Sequence, residues 1–191
     1  MPTMRQTFLR SFLKAFFFFI GRIIHQTLQI GVVSLAFPLY KQLPDIIRRW
    51  KVLLSVCFLS SLIAMMSGVG LVWALGGDNI IAASVLPKSV TTPIALVVAK
   101  ETGGIEAIAA ACVLFVGLLG AIFGYMLLNL FHIKSRAARG LAMGATAHVI
   151  GTARCYEVDE EEGAFSSLAL VLCGVFTALT APFVFALLLK L

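Results

Sequence analysis

Residues 52–75, 107–131 and 164–189 are apolar runs that no charged side chain interrupts. At about 1.5 Å of rise per helical residue, each is long enough to cross roughly 30 Å of hydrocarbon. The pattern therefore predicts three transmembrane helices. Pro182 falls inside the third run, where neighbouring helices can satisfy the carbonyl that a proline frees. Shorter apolar pieces lie between and before the spans. Residues 28–40 would give only about 20 Å of helix, which suits a half-helix or re-entrant segment. Residues 141–153 are equally short, rich in small side chains, and carry Thr146, His148 and Thr152, with Arg154 just beyond.

The segment 80–99 breaks the pattern differently. Its centre, Leu-Pro-Lys-Ser-Val-Thr-Thr-Pro at 86–93, sets two prolines, a lysine and three hydroxyls in apolar surroundings. Pro87 and Pro93 lack backbone donors and clash with the preceding turn, so this stretch cannot be ordinary lipid-facing helix. Broken backbone at membrane depth survives where protein buries it or where it lines a polar cavity.

Composition agrees with a membrane protein: 60% of the residues are hydrophobic, 13% are charged, and mean hydropathy is +1.01. The net charge of +6 is placed at span ends. Arg48, Arg49 and Lys51 flank the first span, and Lys134, Arg136 and Arg139 follow the second. This is the positive-inside arrangement, and no basic surface helix interleaved with stacking aromatics points to nucleic acid. If both basic loops face the cytoplasm, an even number of crossings separates them, so segment 80–99 must dip in from the outer side and return. Segment 141–153 then enters from the inner side. A span followed by a broken segment thus occurs twice in antiparallel sense, as in the inverted repeats of secondary transporters. The expected fold is an all-α polytopic membrane bundle with re-entrant half-helices.

Residues 1–24 form a basic, phenylalanine-rich segment with Arg5, Arg10 and Lys14 ahead of Phe16. It reads as an interfacial helix or uncleaved anchor. A cleaved signal peptide is the competing reading, but no small-x-small site follows the phenylalanines. Residues 25–191 are then one transmembrane domain. Cys57, Cys112 and Cys173 lie in apolar runs, Cys155 follows Arg154, and no CxxC pair exists, so the cysteines read as small buried hydrophobes. Glu157 and the acids from Asp159 to Glu162 lack the spacing of a calcium loop and read as mostly solvated. No metal site, cofactor or catalytic constellation is expected, and hence no enzyme. Gly117, Gly120 and Gly124 would let another helix approach closely, whether from this chain, a second copy or a smaller partner.

Five stretches, at 85–94, 117–124, 138–144, 151–154 and 162–167, resemble in the same order the LrgB/CidB family of antiholin-like membrane proteins, and its YohK branch in particular. The resemblance runs from about residue 28 to the end. Family members usually carry two further hydrophobic segments ahead of the point matching Leu28, so the chain is expected to be shortened or differently begun. Ala147 stands where the family often has serine. The resemblance implies an inner-membrane protein that works with a smaller LrgA-like protein. It also implies one of two functions: regulation of murein hydrolases and lysis, or carriage of a small monocarboxylate such as glycolate, lactate or pyruvate.

The residues favour the carrier. A carboxylate near mid-membrane needs compensating charge, and Lys88 and Arg154 are the cations placed at interruptions. Ser89, Thr91, Thr92 and Thr152 can donate hydroxyl hydrogens, and a half-helix beginning near Pro93 adds backbone donors. His148 suits a coupling proton. Glu162, which lies in a family motif, suits a proton or a salt bridge to Arg154. Plainer readings stand beside these: Lys88 snorkelling to the interface, Arg154 as a boundary charge paired with Glu157 or Glu162, and His148 as a satisfied interior histidine.

Overall fold

A computed structural model describes Tyr40 and residues 43–190. The expectations for the basic N-terminal segment and for residues 28–39 lie outside the described residues. The described chain is all-helical: α1 (Leu43–Ala74), α2 (Asn79–Val85), α3 (Thr92–Glu101), α4 (Glu106–Leu130), α5 (Arg136–Val158) and α6 (Glu160–Leu188). Three of these, over Ile46–Ala74, Glu106–Leu130 and Glu160–Leu188, are long and apolar enough to cross a membrane.

The long helices set the frame. Ser61 on α1 donates to the Cys173 carbonyl at 3.4 Å, Phe58 meets the Phe176 ring edge-on at 5.5 Å, and Met65 and Val69 share a core with Ala181 and Phe185. Contacts that advance together along both chains make α1 and α6 parallel. On α4 the order reverses: Gly117 faces His148, Gly120 faces Ala147, Gly124 faces Met143, and Tyr125 reaches Glu162. The second span therefore returns across the bilayer, as the charges require. Arg49 lines one cavity of about 360 Å³ together with Ser135, Ala137 and Ala138, so the two basic regions lie at the same end.

The two interruptions are hairpins. Asp78 caps α2 by accepting from the Ile81 N–H at 2.8 Å, and Trp73 donates to Asn79 at 3.1 Å, so α2 turns back along α1. Pro87 falls in the turn after α2, and Pro93 lies in the first turn of α3, where a missing donor costs nothing. The chain comes home at Ile105, whose N–H donates to Ser84 at 2.7 Å. Gly103, at φ 80°, supplies the left-handed residue that ends α3, and Gly104 approaches the Ser84 backbone too closely for any side chain.

Although α5 is one helical run by its hydrogen bonds, it reverses at His148, at φ 42° and ψ −131°. Its two ends meet: Arg136 pairs with Asp159 at 3.4 Å. Along α6, Gly140 and Gly144 face the Glu162 and Ser166 carbonyls on the outward arm, while Thr152 meets Ser166 and Tyr156 meets Gly163 on the return. The glycines permit this arm to pack backbone against backbone, the mode of association favoured where lipid supplies no hydrophobic drive. The piece read from sequence at 141–153 is thus longer, because both arms extend to an ion-paired base. Two units of crossing helix plus hairpin run in opposite senses, α1 with α2 and α3, then α4 with α5, and α6 closes the bundle.

Candidate functional site

Both hairpin tips converge on one turn of α4. From the first, Val90 shares a buried cluster with Val113, the residue after the half-buried Cys112. From the second, the His148 imidazole sets Nε2 at 2.8 Å from the Val113 carbonyl oxygen. Lys88 and His148 do not bond to each other.

Depth follows from helix rise. Lys88 Nζ donates to the Ala64 carbonyl at 2.9 Å. Ala64 lies about 18 Å along the helix from Val52 and about 17 Å from Leu75, so the ammonium sits at the middle of the uncharged stretch of α1. The interface-snorkelling reading of Lys88 does not fit that position. A second, longer contact reaches Ser89 Oγ at 3.5 Å, which leaves ammonium donor capacity over. Thr91 precedes α3 without a side-chain cap, and among the described residues no protein partner is found for the Thr91 or Thr92 hydroxyl. Lys88, Ser89, Thr91 and Thr92 are each partly buried. One cation and a set of under-used hydroxyls thus gather at the start of a half-helix.

At the other tip the polar groups are fully buried. His148 is 2% exposed and Thr152 1%. A carbonyl oxygen only accepts, so the imidazole proton is on Nε2 and the Nδ1 lone pair is left over. Thr152 Oγ1 donates to the His148 carbonyl at 2.7 Å and meets Ser166 Oγ at 2.8 Å. These bonds hold a left-handed, non-glycine residue that would otherwise cost about 1–3 kcal/mol.

Arg154 and Glu162 lie elsewhere. Arg154 is exposed on the returning arm and pairs with Glu157, one of the two partners open to it from sequence. Glu162 is 4% exposed and pairs with Arg139 Nε at 3.0 Å, while Tyr125 donates to it at 2.5 Å. Arg139 also stacks 5.0 Å from the Tyr125 ring and donates to Asn129 and to the Ile133 carbonyl. The salt bridge between Arg154 and Glu162 is therefore replaced by a buried cluster that ties the base of the second hairpin to α4. Sequence reading missed Tyr125 and Arg139. Arg139 resembled a positive-inside flank, and Tyr125 is set in a run that reads as lipid-facing.

Residues 9–187 match the LrgB-like family. The chain belongs to that family. Among its relatives, an uncharacterized protein of Haemophilus influenzae is 44% identical over 164 residues, 86% of this chain and 71% of that protein. Uncharacterized protein YxaC of Bacillus subtilis is 34% identical over 86% of this chain and 71% of its own length. Antiholin-like protein LrgB of Bacillus cereus is 33% identical over 85% and 70%. No solved structure matches the chain. As an LrgB-family member with three spanning helices, it is a membrane protein.

Proposed function

We propose that this LrgB-family protein moves a small monocarboxylate, such as glycolate, lactate or pyruvate, across the inner membrane together with a small LrgA-like partner and a coupled proton. The observation that carries this reading is the convergence of two hairpin tips on the 112–113 turn of α4, with Lys88 at mid-depth beside hydroxyls that lack protein partners. A carboxylate there takes the remaining Lys88 donor capacity, the Thr91 and Thr92 hydroxyls, and the free N–H groups at the start of α3. His148 carries the proton on Nδ1, because Nε2–H is committed to Val113. Ser89 and Thr152 set the shape of the two tips, and Arg154 attracts the anion at the inner entrance. Glu162 anchors the second hairpin through Arg139 and Tyr125 instead of shuttling the proton.

The test is uptake of labelled glycolate, lactate and pyruvate into vesicles containing the chain with its partner. Saturable uptake that falls by about 100-fold or more in Lys88→Gln supports the proposal, since the lost cation leaves a carboxylate unpaired at mid-depth. Uptake unchanged by K88Q rejects the site. Relatives at 33% identity that are named antiholin-like favour a second reading, an antiholin-like regulator of murein hydrolases. Altered autolysis with no saturable flux would support that reading.

A further inference from the structure

Each tip side chain is seated against a glycine of the crossing helix in its own unit. A Cβ built on Gly117 of α4 would lie 2.6 Å from His148 Cε1 and 2.8 Å from Nε2, distances at which the ring must move. A Cβ on Gly68 of α1 would lie 3.1 Å from Lys88 Cε and 3.4 Å from Cδ. The same device thus occurs once in each antiparallel unit. In both cases the glycine lies one turn from the carbonyl that receives the side chain, Ala64 for Lys88 and Val113 for His148. Gly70 provides the contrast, being a glycine of α1 with nothing within 4 Å.

We infer that Gly68 and Gly117 are positioning residues, whose missing side chains form the slots that seat Lys88 and His148 and, for His148, fix the proton on Nε2. Without the slot at 117 the ring cannot reach the Val113 carbonyl, and nothing then distinguishes its two nitrogens. Without the slot at 68 the lysine stem lifts from α1 and the ammonium leaves its place by the Ala64 carbonyl. That this seating serves an anion and a proton rests on the function proposed above; the seating does not.

The test reads the side chains directly. Full-length protein labelled with 15N-histidine, held in nanodiscs at about pH 8 where an ordinary imidazole is neutral, reports the tautomer of each ring. The His148 signal is the one that disappears in His148→Gln. Wild-type His148 should show the Nε2–H form alone, and Gly117→Ala should show both tautomers with the hydrogen bond to Val113 lost. Gly68→Ala presses only on a flexible lysine stem, with the Val85 carbonyl at an ordinary contact distance of 3.4 Å, so it keeps the fold whatever becomes of G117A. In lysine-labelled protein it should shift the Lys88 ammonium signal, and it should raise KM for glycolate about tenfold with kcat nearly unchanged. A folded G117A with a pure Nε2–H signal, or a G68A with an unmoved Lys88 signal, overturns the inference. Shifted spectra in a protein that carries no monocarboxylate would leave the two slots standing and remove the transport reading.

Discussion

Two ion pairs of this chain differ in what surrounds them, and the difference decides what each contributes. Glu162 and Arg139 are both largely withdrawn from solvent, with side-chain exposures of 6% and 15%, whereas Arg154 and Glu157 stand at 48% and 63%. Removing one charge of a buried pair strands the other, which costs about 3–5 kcal/mol; an exposed pair contributes about 0–1 kcal/mol. Glu162→Gln should therefore lower the thermal unfolding midpoint in detergent sharply, and Arg154→Ala should barely move it. Equal shifts would contradict the assignment of Glu162 to anchoring. Position 162 was singled out in the sequence by the family motif it lies in, but its partners were not visible. They come from α4 and from the start of α5, and only the hairpin brings them together.

Among the elements, the three spans were legible because hydropathy and length alone specify them. The first hairpin was legible through Pro87 and Pro93, which punctuate any helix. The second was legible as a short segment entering from the inner side, but the residue at which it reverses was not. Reversals are ordinarily marked by glycine or proline, and this one occurs at His148, a residue that takes φ 42° only because Val113 and Thr152 hold it there. A signal did exist in the spacing of Gly140 and Gly144, which lets the outward arm rest on the carbonyls of α6. Gly144→Val should prevent that seating and abolish a folded, monodisperse protein on size-exclusion chromatography. Gly70→Ala, with open space around it and a better helix former in place of glycine, should be neutral or slightly stabilising. A folded G144V would refute backbone packing as the basis of the second hairpin.

For the whole molecule, the charges at 48–51 and 134–139 imposed a topology before any fold was known, and the shared cavity of Arg49, Ser135 and Ala138 agrees with it. The sequence could not specify that the tips pack on the same turn of α4, since that depends on how the helices assemble. Of two cavities of about 360 and 340 Å³, one lies at the basic end and the other between α3 and α6, reaching Pro93 and Ile94 at the start of α3.

Cys112 gives direct access to the tips, being half-buried on the turn of α4 where Val113 packs against Val90. Its alkylation by a small thiol reagent, read by mass spectrometry in membranes that also contain the LrgA-like partner, measures whether a monocarboxylate occupies the tips. Glycolate, lactate or pyruvate should slow the modification of Cys112 in the wild type and not in Lys88→Gln, while neutral ethylene glycol should have no effect. Modification at the same rate with and without all three acids would contradict the account.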